Sequence, residues 1–215
     1  MTNFVFYYIN KDVPPYAEWC MKSIKKHMQD SKITQLTDMD TPKIDGVDEI
    51  IRSIPKHEIT RETVNYVGYQ YLSEMDINPS VFIDPDMIFN GSIEHLLDYD
   101  CDVVVATRSN DDPVPTEYHI MFPWCSFMVV KNLQFWKDCY KILQCFPVND
   151  WVNNMLAVRL VIKSGKYKTK VIDGNIYNAL PFHYSKDVVV YHYKLSDKSG
   201  MQSFCEQNKI TEVFT

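Results

Sequence analysis

Glycine is scarce, with six in 215 residues. No GxGxxG and no Walker-type loop occurs, and Asn10 to Pro15 (NKDVPP), which follows the first apolar run, contains no glycine. A cradle of backbone N–H groups for a triphosphate needs glycine there, so a nucleotidyltransferase stands only as an alternative. The six cysteines, Cys20, Cys101, Cys125, Cys139, Cys145 and Cys205, include no CxxC and are irregularly spaced. That argues against zinc and for free thiols in a reducing, cytoplasmic compartment. No basic region precedes the apolar N-terminal run, and no apolar stretch reaches the ~18 residues of a membrane span, so neither a signal peptide nor a span is expected. A basic excess is missing too: the net charge is -6. This argues against holding nucleic acid by overall charge, while leaving room for a local basic patch. There is no internal repeat, low-complexity segment or linker. A chain of this length that is 46% hydrophobic suits one domain, residues 1–215, with a sizeable core.

What is present is an alternation of strand-like and helix-like segments. Phe4 to Ile9 reads as a buried first strand, Ile33 to Leu36 as a second and Val47 to Ile54 as a third. Tyr16 to Met28 reads as an amphipathic helix opened by proline, with Trp19, Cys20 and Ile24 on its inner side. Ile59 to Met75 reads as a second helix, with Thr60 and Thr63 at the positions of a capping box. Ser80 to Ile83, Asp102 to Ala106, Cys125 to Val130, Lys168 to Ile172 and Val188 to Tyr193 read as further strands. Ile93 to Leu97, Leu133 to Cys145 and Asp150 to Ser164 read as helices, and Asp111 to Tyr118 as a loop. The pattern predicts an α/β fold with a mixed, mostly parallel central sheet flanked by helices. In such sheets ligands bind beyond the carboxyl ends of the strands, and Asn10, Asp38, Asp84 and Asp86 fall at such ends.

The segment VFIDPDMIF, residues 81 to 89, sets two carboxylates between apolar runs. Alone, Asp-Pro-Asp is a β-turn with two polar positions. Next to a buried strand the two like charges repel at low dielectric, and a divalent cation relieves the repulsion. Mg²⁺ and Mn²⁺ take hard oxygen ligands, often carboxylates together with the phosphates of a substrate.

VFIDPDMIFNGSIEHLLD resembles the D-x-D segment of glycosyltransferases of the GT-A, Rossmann-like fold, most nearly the retaining, glycogenin-like kind and its small bacteriophage relatives. FPWCSFMVVKN, GNIYNALPF and VVVYHYKLSDKSGM follow in the order those enzymes show. The resemblance implies a metal-dependent hexosyltransferase that uses a nucleoside diphosphate sugar, most often a UDP-sugar. Asp84, Asp86 and His192 would be ligands for Mn²⁺ or Mg²⁺, and Lys198, with Lys194, would face the diphosphate. Leu195 stands where the pattern has glycine, a departure in the loop nearest the phosphates. Tyr8, Asn10, Asp38 and Arg61 are the expected contacts to the nucleotide. Asp86 is also placed at the reacting centre. Asp150 is the candidate for contacts to the sugar or acceptor, against the plainer reading of a helix N-cap. Retention would need no strong protein base; inversion would need a carboxylate.

The acceptor hydroxyl stays open among glycan, protein and DNA, where small phage relatives modify hydroxymethylated pyrimidines. Lys166, Lys168 and Lys170 are expected on one face of a strand, either guarding a sheet edge or contacting phosphates. Tyr118, Phe122 and Trp124 are candidates for stacking on a sugar or base, or for ordinary packing. A non-catalytic binding module is the remaining alternative; it has no need for Asp84, Asp86 and His192 to converge.

Overall fold

Runs of β-branched and aromatic residues without polar alternation demand burial on both faces, which only a covered, mainly parallel sheet supplies. The computed structural model, which describes residues 1–108, 126–147, 152–181, 185–194 and 199–208, shows such a sheet. Its strands are β1 (Asn3–Tyr7), β2 (Lys32–Thr37), β3 (Glu49–Arg52), β4 (Ser80–Ile83), β6 (Val103–Ala106), β7 (Phe127–Val130) and β8 (Thr169–Ile172). They lie in the order β3-β2-β1-β4-β7-β6-β8. β1 pairs in parallel with β2 and β4, β2 with β3, and β6 with β8; β7 runs antiparallel between β4 and β6. The carboxyl ends of β1, β2, β4, β6 and β8 therefore share one edge. A second, two-stranded antiparallel sheet joins β5 (Met87–Phe89) to β9 (Val190–His192).

The period of two along each strand divides the core. Val5, Phe82, Val103, Val105 and Met128 face the helices α2 (Val64–Glu74), α3 (Gln134–Leu143) and α4 (Asn153–Lys163). Phe4, Phe6, Val81, Ile83, Val104 and Val129 face α1 (Pro15–His27) and the inner side of the β5–β9 sheet. The outer side of that small sheet, Ile88 and Tyr191, is covered by α6 (Ser199–Gln207) through Met201, Phe204 and Cys205. Trp136 is fully buried on the first face, edge-on to Tyr69 and Phe82 at centroid distances of 5.8 and 5.4 Å. α2 lies flush on β1 because Gly68 leaves room for the Tyr7 ring; a Cβ there would come within 2.6 Å of it.

The expected elements are present, several with shorter ends, while β2 runs one residue further at each end than Ile33 to Leu36. The second helix begins at Val64 rather than Ile59, and the Thr60–Thr63 box stands one turn ahead of it. The Thr60 N–H donates to Thr63 Oγ1 (2.7 Å), and the Thr63 N–H to Thr60 Oγ1 (3.3 Å). Trp19 is only half-buried, because it packs with Tyr16 against the cluster under α6. Three elements were not foreseen: β5, the short helix α5 (Gly174–Tyr177) and α6. β8 is an edge strand, but it starts at Thr169, so of the three lysines only Lys170 lies in it. Lys166 pairs with Asp138 at 2.6 Å, Lys168 pairs with Asp100, and Lys170 sits 5.0 Å above the Tyr99 ring. These partners fit an edge guard, not a phosphate-contacting stripe. Cys20, Cys101, Cys139, Cys145 and Cys205 are free thiols. No helix among the described residues is long and apolar enough to cross a membrane. Cys125, the loop Asp111 to Tyr118, and Phe122 and Trp124 lie outside the described residues.

Candidate active site

β4 ends in the sequence Asp84-Pro85-Asp86, and the chain then enters β5 directly. Pro85 has no N–H to extend a ladder, so the turn falls there. The strands on both sides are fully buried and hold the turn. The Asp84 N–H still donates to the Ser126 carbonyl (3.1 Å), and the Tyr193 N–H to the Asp86 carbonyl (2.9 Å). The register of the small sheet sets His192 opposite Met87, next to Asp86.

Asp84, Asp86 and His192 thus converge, each offering a ligand atom within 4.8 Å of the others. His192 Nε2 lies 3.2 Å from Asp86 Oδ1 and 3.7 Å from Asp84 Oδ2. These separations are close to the edge of an octahedron with bonds of about 2.1 Å, roughly 3 Å. The ring is buried and the carboxylates are partly exposed, so the open side faces solvent. Burial and the Asp86 charge push the Asp84 carboxyl up to about 6, against the pull of His192, the Ser126 hydroxyl and Lys194. Two carboxylates and one imidazole suit Mn²⁺ or Mg²⁺, and the site has the donor set and the spacing for either. The other ring nitrogen, Nδ1, lies 2.9 Å from Oδ1 of the fully buried Asn178.

A cleft of about 550 Å³ opens along the same edge of the sheet, past the ends of β1 and β2. Ile9, Ile59 and Val64 give it apolar walls, and Asn10, Asp38, Thr41 and Arg61 give it polar groups. Its volume is that of a small-molecule site. Asp38 is firmly built in: its Oδ1 accepts from the Thr41 N–H (2.8 Å) and the Asp40 N–H (3.3 Å). Burial raises its carboxyl, but these bonds and the Arg52 charge outweigh that and hold it below the ordinary range. The Asn10 N–H donates to Thr41 Oγ1 at 3.1 Å, tying the β1 end to the β2 loop. Arg61 is exposed at the cleft, on the turn held by the threonine box.

The sequence-based candidates therefore fall into three places. Asp84, Asp86 and His192 meet, with the Lys194 charge acting on Asp84. Asn10, Asp38 and Arg61 line the cleft. Tyr8 does not line it: its side chain is buried in the cluster shared with α1, its hydroxyl donates to the Asp12 carbonyl at 2.6 Å, and burial pushes the phenol up to about 12. Asp150, Lys198 and Leu195 lie outside the described residues. Sequence reasoning missed Ser126 and Asn178, although both lie in segments singled out for their resemblance. Neither shows a periodicity or charge pattern that marks it.

No family model matches the chain, and no curated protein matches it. Solved structures do. GlyE, a glycosyltransferase of Streptococcus pneumoniae, superposes with a TM-score of 0.67 at 12% identity, covering 100% of this chain and 64% of its own. The present chain thus spans just under two thirds of that protein. The galactosyltransferase LgtC, in complex with donor and acceptor sugar analogues, gives 0.62 at 13% identity, covering 100% of this chain and 97% of LgtC. TarS residues 1–349 of S. aureus, in complex with UDP, gives 0.53 at 11% identity, covering 80% and 58%. With the strand order and these likenesses together, the chain has the mixed α/β fold of the GT-A glycosyltransferases.

Proposed function

We propose that the chain is a single-domain, metal-dependent glycosyltransferase that moves a sugar from a nucleoside diphosphate donor, UDP-linked, to an acceptor hydroxyl. The observation that carries this is the convergence of Asp84, Asp86 and His192 at the sheet edge that also bears the cleft. Two like charges next to a buried strand are costly unless a cation is shared between them.

In this reading Asp84, Asp86 and His192 hold Mn²⁺ in preference to Mg²⁺, since imidazole among the ligands favours the softer ion. The ion, when bound, supplies Lewis-acid stabilisation to the departing diphosphate. Asn10, Asp38 and Arg61 bind the nucleotide, while Tyr8 stays buried in the cluster shared with α1. Lys194 and Lys198 add positive charge on the diphosphate side. Asp150 contacts the transferred sugar or the acceptor. The acceptor attacks from the leaving-group face, with retention, as in the glycogenin-like enzymes the sequence resembles. The free thiols among the described residues support a cytoplasmic setting.

The acceptor is a hydroxyl of a glycan or protein, or of a hydroxymethylated base in phage DNA. The lysine stripe that favoured DNA is engaged in local contacts, so the glycan and protein readings stand first. The test is thermal unfolding with UDP, with and without Mn²⁺, on the wild type and Asp86→Ala. At a hundred times its Kd a ligand adds about 2.7 kcal/mol to stability. UDP stabilisation that needs both Mn²⁺ and Asp86 supports the reading. No stabilisation by UDP or any other nucleoside diphosphate sinks it.

A further inference from the structure

We propose that Asn178, with its amide oxygen turned to the ring, holds His192 in the tautomer that presents a bare Nε2 to a divalent cation. The inference rests on reading Asp84, Asp86 and His192 as a cation site. Asn178 Oδ1 lies 2.9 Å from His192 Nδ1. In this orientation the amide oxygen can only accept, so the proton of the neutral ring sits on Nδ1 and donates to it. Nε2 then carries a lone pair, and Nε2 is the atom facing Asp86 and Asp84 at 3.2 and 3.7 Å. A lone pair aimed at two carboxylates is repulsive unless a positive charge sits among them. The hydrogen bond on one side of the ring thus fixes what the other side can bind.

The backbone leaves Asn178 little freedom. Gly174 begins α5 pressed against the end of β6, and its N–H donates to Thr107 Oγ1 at 2.7 Å. A Cβ there would lie 2.1 Å from the Thr107 carbonyl oxygen, so only glycine fits. One turn later the Asn178 N–H donates to the Gly174 carbonyl (2.9 Å). The next residue, Ala179, is laddered to β9: its N–H donates to the Val190 carbonyl (3.0 Å), and its carbonyl accepts from the His192 N–H (2.8 Å). The side chain is therefore registered beside the ring, fully buried.

The other end of the amide offers a second way to meet the ring. Nδ2 of Asn178 is buried with no hydrogen-bond partner among the described residues. Turned over, the amide would offer Nδ2–H to Nδ1, and the ring would carry its proton on Nε2 and donate to Asp86. The two amide orientations thus match the two tautomers, one suited to a cation and one to its absence. An aspartate could serve only the first and would add a third carboxylate to the cluster. An apolar residue could serve neither.

The test compares wild type, Asn178→Leu and Asn178→Asp at mildly alkaline pH, where an imidazole is neutral. Mg²⁺ and Mn²⁺ affinities are measured by calorimetry, and the His192 tautomer by ¹⁵N NMR with and without diamagnetic Mg²⁺. In the wild type, Mg²⁺ is expected to drive the ring fully to the Nδ1–H form. Asn178→Leu is expected to lose about 10–100-fold in affinity and to leave the apo ring on Nε2–H. Asn178→Asp should hold the ring on Nδ1–H even without cation and keep affinity within roughly threefold to tenfold of wild type. A folded Leu variant with wild-type affinity and ring spectrum overturns the inference while leaving the cation site standing. An Asp variant that loses as much affinity as the Leu variant also overturns it. If the Leu variant does not fold, the apo ring of the Asp variant decides: Nδ1–H supports the inference, Nε2–H overturns it. A wild type that binds neither cation overturns the site and the inference together.

Discussion

Two charged clusters in this molecule are built on opposite plans. Along the β8 edge each lysine has its own local partner: Lys166 has Asp138, Lys168 has Asp100, and Lys170 lies over the Tyr99 ring. Asp100 and the lysines are largely exposed and Asp138 is partly buried. At Asp138 burial pushes the carboxyl up, but the hydrogen bonds from Lys166, Gln134 and Tyr167 outweigh it; at Asp100 the hydrogen bond and charge of Lys168 act alike, so both carboxyls lie below the ordinary range. At the end of β4 the plan is reversed. Asp84 and Asp86 are pressed together, one carboxyl is raised to about 6, and they share one buried histidine. The first cluster completes itself; the second has room and charge for something that arrives from outside. At these two clusters the carboxyl shifts run in opposite directions, down where the charge is paired within the fold and up where two carboxylates are left facing one another.

The largest effect that would break this contrast is expected at the second cluster. Asp84→Asn and Asp86→Asn should each abolish the Mn²⁺-dependent part of nucleotide stabilisation, up to about 2.7 kcal/mol at saturating ligand. The metal-free fold should be as stable as wild type or more so, because the repulsion is relieved. Melting curves with and without Mn²⁺ read both. Next comes Gly174→Ala, which forces the β6–α5 contact apart. It should cost about 1–3 kcal/mol in denaturant unfolding and also weaken Mn²⁺ binding, through Asn178. Arg61→Ala should weaken UDP binding roughly fivefold, about 1 kcal/mol for an exposed charge, and leave Mn²⁺ binding alone unchanged. Calorimetry of each ligand separates the two.

Acid sharpens the same comparison. Asp84 has its folded-state carboxyl raised from 3.8 to about 6. A raised carboxyl costs stability when ionised, so the cost is full above about pH 6 and fades as the pH falls towards 3.8. This group therefore favours the metal-free fold as acid is added. Cation binding needs the ionised form and should decline as the pH falls through about 6. Melting temperatures scanned across that interval should show the Mn²⁺-dependent gain shrinking. The smallest effect is expected at the first cluster, where Lys166→Ala should change stability by less than about 1 kcal/mol and leave nucleotide binding intact.

Much of the fold was legible in the sequence, because buried strands announce themselves. SVFI and VVVA have no polar alternation, and both proved fully buried. The ends of elements were less legible: nothing in Ile59 to Thr63 says that this turn serves the cleft rather than the helix. The cation-binding candidates could be named from spacing and resemblance. Their support could not, since Asn178 reaches His192 only through the bridge at Ala179, and Ser126 reaches Asp84 only across the β4–β7 pairing. β5 went unread because three apolar residues after a turn look the same whether or not a late strand pairs with them.

That late pairing has a temporal consequence. Asp84 and Asp86 follow β4, which pairs with β1 and β7, whereas His192 arrives with β9, paired with Met87 across a still longer separation. Contacts of such long sequence separation close late. The triad is then a signature of completed folding, absent from any species in which β9 has yet to dock. A bound ion would act as a clasp on that last strand, and amide exchange in Val190 to His192 should slow when Mg²⁺ is added while exchange in β1 and β2 stays as it was.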